Sequence, residues 1–183
     1  MPITDKKEIT NKPRWLKVPL PKGGHFTKLQ SELKARGLAT VCQEAKCPNI
    51  GECWSAQTAT VMILGDTCTR ACKFCHVKTG NPAGLIDQNE IKHTVEMVGM
   101  MALRYVVITS VDRDDLEDGG AEHFANIIDA VHQHHPKTKV EVLIPDFDSK
   151  PDSMNKIGKA NPFVIAQNIE TVKRLTHPVR DRR

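Results

Sequence analysis

Three cysteines lie on one short polar stretch of the sequence, LGDTCTRACKFCHVKTG, at residues 64–80. They are Cys68, Cys72 and Cys75, and their spacing is C-x3-C-x2-C. Thiolates bind both zinc and iron–sulfur clusters, and a structural site of either kind normally takes four ligands. Three ligands within eight residues therefore indicate a metal centre that keeps one coordination position open for a small molecule.

A second group of cysteines precedes the first in VCQEAKCPNIGECW, where Cys42, Cys47 and Cys53 have the spacing C-x4-C-x5-C. These two triplets contain all six cysteines of the chain. Two alternatives stay open for them. Cys68, Cys72 and Cys75 could form a zinc knuckle with a remote fourth ligand such as His76. Cys42, Cys47 and Cys53 could be a loose cluster of thiols.

Composition excludes several classes of protein. Lysine and arginine number 26 against 22 aspartates and glutamates, and two Trp, one Tyr and five Phe offer little surface for stacking on bases, so we expect no nucleic-acid partner. No apolar run approaches the ~18 residues of a membrane span, and the N-terminus lacks the apolar core of a signal peptide. We therefore expect a cytoplasmic protein with no membrane partner, in which disulfides would be reduced.

Two other polar clusters invite a metal interpretation. His132, His134 and His135 in VHQHHP are better explained as helix-end histidines that interact with the helix dipole. The acidic run DRDDLED at 112–118 is better explained as polar groups at a strand end together with acidic capping of the next helix.

Short β-branched segments alternate with amphipathic ones in the second part of the chain. The strand segments, nearly continuous in apolar character as in strands buried on both faces of a parallel sheet, are 58–65, 105–111, 139–147 and 162–170. Helical spacing predicts helices over 88–102 (with an Asp87/Glu90 capping box), 120–134 and 151–159, and over 27–36 nearer the N-terminus. This pattern predicts an α/β fold of right-handed βαβ units at 58–183, preceded by an irregular and helical extension at 1–57.

The triplet at 68–75, with Phe74 just before its last cysteine and a predicted strand before its first, resembles the radical S-adenosylmethionine (SAM) superfamily. The resemblance extends to the lipoyl synthases of that superfamily. It covers about residues 12–183 through KPRWLKVPLP, VCQEAKCPNIGECW, DTCTRACKFCHV, VVITSVDRDDLEDGGAEHF, VEVLIPDF and NIETVKRL. It implies a partial (β/α)6 barrel with about four parallel strands in sequence order, helices on one side, and both cysteine triplets at one mouth.

The resemblance implies two [4Fe–4S] clusters and SAM as cofactors. Cys68, Cys72 and Cys75 would be the catalytic ligands of the cluster that binds SAM and cleaves it reductively to a 5′-deoxyadenosyl radical. Cys42, Cys47 and Cys53 would hold an auxiliary cluster that donates sulfur. The implied reaction inserts two sulfur atoms at C6 and C8 of a protein-bound octanoyl-lysine, which gives lipoyl-lysine.

The implied partners are octanoylated lipoyl carrier domains, namely acyltransferase subunits of 2-oxoacid dehydrogenases and the glycine cleavage H protein, with ferredoxin or flavodoxin as electron donor. The alternatives are a non-catalytic carrier of two clusters and another radical SAM sulfurtransferase of the biotin synthase type. Lipoyl synthases also have a C-terminal segment with a serine ligand that this sequence does not match. The resemblance therefore implies a truncated chain, impaired in sulfur insertion, whose last strand is an exposed edge.

Position along the predicted strands assigns SAM contacts by the same resemblance. Thr109, Ser110 and Asp112 end the second strand, where the methionine amine is held, and Asn168 and Glu170 end the fourth strand, where the ribose is held. We further expect the sulfurs of the radical SAM triplet to converge within a few ångströms of one another at the carboxyl end of the sheet.

Overall fold

The computed structural model describes residues 24–35, 40–44 and 47–183. Its helices are α1 (Gly24–Ala35), α2 (Val41–Glu44), α3 (Ile50–Ser55), α4 (Glu90–Met100), α5 (Ala121–His134), α6 (Pro151–Lys159) and α7 (Lys173–Val179). Its strands are β1 (Thr58–Ile63), β2 (Thr67–Cys68), β3 (Lys78–Thr79), β4 (Tyr105–Ser110), β5 (Lys139–Leu143) and β6 (Val164–Ala166). The motif KPRWLKVPLP lies outside the described residues.

One parallel sheet organises the second part of the chain. Its strand order is β1-β4-β5-β6, so the four predicted strands pair in sequence order and all run parallel. This confirms the predicted α/β class and the topology of a partial barrel. The last strand is shorter than predicted, because only Val164–Ala166 pairs with β5.

The two faces of the sheet differ in burial, which corrects the prediction of strands buried on both faces. Alternate residues of β1, β4 and β5 are fully buried, and the residues between them are mostly only partly buried. The buried face shares one hydrophobic core with α4, α5 and α6, through residues such as Met97, Phe124 and Ile157. The continuous apolar sequence therefore reflects one helix-covered face and one partly open face, as in the interior of an incomplete barrel.

The helix α5 begins at a turn that the sequence anticipated. Gly120 precedes it with φ +91°, and the Asp118 carboxylate accepts hydrogen bonds from the backbone N–H of Gly120 (2.9 Å) and Glu122 (2.8 Å). This confirms acidic capping by the run at 112–118. At the other end of α5, His135 bonds its ring Nε2 to the Val95 carbonyl oxygen of α4 at 2.9 Å, which is a structural role.

The predicted capping box of α4 is wrong. Asp87 accepts a hydrogen bond from the N–H of Asn89 at 2.9 Å, but Glu90 does not turn back towards Asp87. The Glu90 carboxylate instead accepts hydrogen bonds from the N–H groups of Leu64 (2.8 Å) and Gly65 (3.2 Å). Glu90 therefore makes tertiary contacts with the end of β1 and does not cap its own helix, as the local sequence had predicted it would.

The strand β6 lies at the edge of the sheet and is less buried than the other three. Ile165 stands in register with the fully buried Val142 of β5, yet 47% of its surface is exposed. Phe163, just before the strand, is 58% exposed. The predicted exposure of this edge is confirmed.

The described part of the N-terminal extension is helical. It contains α1, α2 and α3, and its contact with the sheet includes an isolated antiparallel bridge between Thr40 and Val61 of β1. Across the described residues, no helix is both long and apolar enough to span a membrane.

Candidate functional site

The loop that carries Cys68, Cys72 and Cys75 is closed at its base by a small pair of strands. Thr67 and Cys68 of β2 pair in parallel with Lys78 and Thr79 of β3, and the Gly80 N–H donates to the Cys68 carbonyl at 2.9 Å. The residues between, 69–77, form a compact loop beyond the carboxyl end of β1. Sequence reasoning missed this pair, since two-residue strands carry no detectable periodicity.

The junction between β1 and this loop is fixed by α4 and by the turn before α5. Glu90 accepts hydrogen bonds from the two backbone N–H groups after β1, and its Oε2 also lies 2.6 Å from Nε2 of His123 in α5. Leu64 is buried and has φ +66°. It packs so closely on Gly120 that a Cβ atom there would lie 2.4 Å from Leu64 Cδ1.

Arg70 anchors the cysteine loop to the sheet. Its guanidinium donates to Asp114 (Nη2–Oδ1 2.8 Å) and to Asp146 (Nη1–Oδ2 2.7 Å), and Nη1 lies 3.4 Å from Asp112 Oδ1. These hydrogen bonds lower the pKa of the Asp114 and Asp146 carboxyls and raise that of Arg70. Burial dominates at Asp112 and raises its pKa despite the neighbouring cation.

The segment that follows α7 covers the other side of the loop. The Val179 carbonyl accepts a hydrogen bond from the Lys73 N–H at 2.8 Å, and the Asp181 carboxylate accepts one from the Ala71 N–H at 2.9 Å. The Asp181 N–H in turn points to the Cys72 sulfur at 3.3 Å. The loop is thus held on both sides by backbone and carboxylate contacts.

All six cysteines are free thiols. Cys68 is half-buried, accepts the N–H of Arg70 at 3.4 Å and lies 3.8 Å from Asp112 Oδ2. Burial raises the pKa of its thiol, and the neighbouring Asp112 carboxylate raises it further. Cys75, in contrast, is exposed.

The expected close convergence of the three loop sulfurs stays a prediction. Nowhere in the described part of the chain do three His, Cys, Asp or Glu side chains gather around one point that would hold a single metal ion. Each cysteine ligand of a [4Fe–4S] cube binds a different iron atom, so the thiols stand around the corners of the cluster instead of around one ion.

The other triplet lies on α2, α3 and the segment between them. The Cys47 N–H donates to the Cys42 carbonyl at 3.0 Å. Burial raises the pKa of the Cys53 thiol. Whether this triplet shares a mouth with the loop triplet stays a prediction.

A polar cavity of about 130 Å³ opens at the carboxyl ends of β4, β5 and β6. Its lining includes all five residues that the sequence assigned to SAM, namely Thr109, Ser110, Asp112, Asn168 and Glu170. The hydroxyl of Ser110 is buried and has no hydrogen-bond partner among the described residues. A buried hydroxyl without a partner is costly in a native protein, so this atom fits a site built for a polar ligand.

Two further residues of this cavity were missed by sequence reasoning. Asp146 follows β5 and Arg180 follows α7, and both line the cavity. Arg180 lies in no motif with recognisable spacing and comes to the cavity only through the return of the chain after α7. The Asp146 carboxylate follows a strand end and was therefore within reach of a positional argument.

Comparison with known proteins identifies the family. The profile of the radical SAM superfamily matches residues 62–183, which is most of the chain. The chain belongs to the radical SAM superfamily. The N-terminal domain of lipoyl synthase of the radical SAM family also matches, over residues 3–47.

The curated relatives of this radical SAM chain include several lipoyl synthases. That of Thermus thermophilus is 56% identical over 173 residues, which cover 94% of this chain and 54% of the relative. That of Francisella philomiragia is 54% identical over 184 residues, 99% of this chain and 56% of the relative. That of Marinobacter nauticus is 50% identical over 180 residues, 98% of this chain and 52% of the relative. The chain therefore spans about half the length of the curated relatives it matches.

Membership of this family implies SAM and [4Fe–4S] clusters as cofactors. The residues present fit these groups by donor chemistry. Cysteine thiolates are the usual cluster ligands, and each triplet offers three free thiols. Ser110 and the other lining residues offer hydroxyl, carboxylate and amide groups to the ribose and amino group of SAM.

Proposed function

We propose that this chain carries the radical SAM core of a lipoyl synthase, which inserts sulfur at C6 and C8 of an octanoyl group bound to a lysine. One observation carries the proposal. Asp112 lines the polar cavity and also lies 3.8 Å, from Oδ2 to Sγ, from Cys68 of the loop triplet. The cavity and the cysteine loop are therefore parts of one site.

In this proposal Cys68, Cys72 and Cys75 hold a [4Fe–4S] cluster which, when bound, supplies the electron for cleavage of SAM. The lining residues bind and orient SAM. Asp112 and Thr109 at the end of β4 receive the methionine amine, while Asn168 and Glu170 after β6 hold the ribose.

We further propose that residues 1–57 form an extension whose Cys42, Cys47 and Cys53 hold an auxiliary cluster, the source of the inserted sulfur, and that 58–183 form the barrel. The match of the N-terminal lipoyl synthase profile to residues 3–47 and of the radical SAM profile to 62–183 supports this division of the chain. The substrates would be octanoylated carrier domains of 2-oxoacid dehydrogenases and of the glycine cleavage system, with ferredoxin or flavodoxin as reductant.

The test is anaerobic reconstitution of the full chain with iron and sulfide, followed by SAM and dithionite. We expect 5′-deoxyadenosine from the wild type and none from Cys72→Ala. Met154→Ala, which removes an exposed sulfur-containing side chain far from both triplets in sequence, is the control and should match the wild type. Absence of 5′-deoxyadenosine from the reconstituted wild type would contradict the enzyme proposal and favour a two-cluster electron carrier.

The substrate class needs a separate assay. Incubation with an octanoylated carrier domain, followed by mass spectrometry of the modified lysine, would detect inserted sulfur. Formation of 5′-deoxyadenosine that increases when the octanoylated carrier is added, and not when the unmodified carrier is added, supports the assigned substrate. Equal formation with both would contradict it.

A further inference from the structure

Arg70 is almost completely buried although it lies in a loop. Its side chain is 5% exposed, and every N–H of the guanidinium has a carboxylate nearby. Asp114 accepts hydrogen bonds from Nε (3.1 Å to Oδ2) and from Nη2 (2.8 Å to Oδ1). Asp146 accepts them from Nη1 (2.7 Å to Oδ2) and from Nη2 (2.8 Å to Oδ1). Nη1 also lies 3.4 Å from Asp112 Oδ1.

These contacts join three segments that are distant in sequence. Arg70 stands between two cysteines of the loop triplet and donates its backbone N–H to Cys68 Sγ at 3.4 Å. Its carboxylate partners follow β4 and β5, and two of them, Asp112 and Asp146, line the polar cavity. One side chain thus connects the cysteine loop with a wall of the cavity.

Stability alone does not explain this arrangement. Burying a cation and its partners costs desolvation energy, and a well-packed apolar side chain in the same place would often stabilise a protein just as much. The base of the loop already has its own anchors in the β2–β3 pair and in Thr69, whose hydroxyl donates to Asp114 Oδ2 at 2.7 Å.

We propose that Arg70 is a positioning residue that fixes the Cys68–Cys72 segment against Asp112 and Asp146, so that a cluster on the loop and SAM in the cavity meet in the correct orientation. This inference rests on the proposed function. The geometry requires arginine, since a planar fork binds two carboxylates bidentately and the ammonium of lysine acts as a single point of charge.

The decisive variant is therefore Arg70→Lys, which keeps the charge and removes the fork. The reconstituted full chain is reduced and titrated with SAM, and the SAM-induced change in the electron paramagnetic resonance spectrum is followed. This difference spectrum isolates the cluster that binds SAM from the auxiliary cluster. We expect Arg70→Lys to retain its iron and to need at least tenfold more SAM for half of the change, which corresponds to about 1.4 kcal/mol.

Arg104→Lys is the matched control, because Arg104 is exposed at the opposite, amino end of β4. We expect it to titrate like the wild type. A titration of Arg70→Lys that coincides with the wild type would overturn the positioning role while leaving the proposed function intact. If the wild-type spectrum does not respond to SAM, the proposed function fails and this inference fails with it.

A second measurement needs no iron and covers the case in which the variant does not retain its cluster. Amide hydrogen exchange is compared between the metal-free wild type and Arg70→Lys. Faster exchange confined to residues 66–80 and 112–114, with β1 and β4 unchanged, supports the positioning role. Equal acceleration over the whole sheet would show a general stability effect and overturn it.

Discussion

Replacing Gly120 with alanine would place a methyl group in space that Leu64 already fills. Gly120 has φ +91°, in a region that residues with a Cβ atom rarely adopt. The added Cβ would lie 2.4 Å from Leu64 Cδ1 and 3.4 Å from its Cγ. Leu64 cannot move away freely, because it is buried and its own backbone N–H is bound to Glu90 at 2.8 Å.

The magnitude follows from two contributions. A left-handed conformation costs an alanine roughly 1–2 kcal/mol, and overpacking of a filled core site costs about 1–3 kcal/mol. We therefore expect Gly120→Ala to lower the free energy of unfolding by about 2–5 kcal/mol, a large part of the total stability of a typical domain. Urea denaturation of the purified chain, followed by circular dichroism, measures this difference.

Gly158→Ala is the control with the same chemical change. Gly158 lies in α6, and a Cβ atom there would meet nothing within 4 Å. Because alanine is the better helix former, this variant should be more stable than the wild type by about 0.5–1 kcal/mol. The two glycine substitutions should therefore shift the denaturation midpoint in opposite directions.

The assignment of the strain to Leu64 has its own check. If the clash is the cause, Leu64→Ala should cost less in the Gly120→Ala background than in the wild type, with a coupling of about 1 kcal/mol or more. Additive effects would show that the methyl group does not press on Leu64. A loss of less than about 1 kcal/mol for Gly120→Ala alone would refute the packing of the β1 end described above.

Three further predictions concern the cavity, acid stability and the sheet edge. Ser110→Ala should weaken SAM binding, measured by calorimetry with the reconstituted chain, yet leave the ligand-free protein at least as stable in thermal unfolding, because a buried unpaired hydroxyl is removed. Asp115→Asn should lower the free energy of unfolding by about 3 kcal/mol at neutral pH, since it leaves the buried Arg113 without its carboxylate partner. Hydrogen bonds from Arg113 lower the pKa of Asp115, so the wild-type advantage should be complete above about pH 5 and decline once the pH drops below about 3.9, towards the lower, folded pKa; an advantage that does not decline on acidification below about pH 3.9 would contradict this cause. Ile165→Lys should reduce self-association in light scattering with little change in stability, since this edge-strand side chain is 47% exposed, and unchanged association would rule out β6 as the sticky edge.

The elements of the barrel could be predicted because their signals are local. The β-branched runs gave β1, β4, β5 and β6 in parallel sequence order, as short βα connections require. The helix α6 was predicted with its observed bounds, Pro151–Lys159, since proline is favoured in a first turn. The sequence could not show that only one face of the sheet is buried, because an apolar strand sequence is compatible with a full and with an open barrel.

The candidate site also has residues that local sequence signals predicted and contacts that they did not predict. Cysteine spacing pointed to the loop triplet, and strand ends together with the family resemblance pointed to Thr109, Ser110, Asp112, Asn168 and Glu170, which line one cavity. The pairing of Arg70 with its carboxylate partners had no such signal. They lie 44 and 76 residues away in sequence, at Asp114 and Asp146, and neither distance corresponds to a motif.

The sequence by itself therefore determined the chemistry and the order of the strands, since thiol spacing and apolar runs act over a few residues. The tertiary structure decided which polar groups meet. Glu90 binds the end of β1 and not its own helix end, and Arg70 binds carboxylates on the segments that follow β4 and β5. The physical reason is that a buried charged group must be paired wherever the fold brings a partner, and that place depends on the packing of the whole sheet and not on neighbours in the chain.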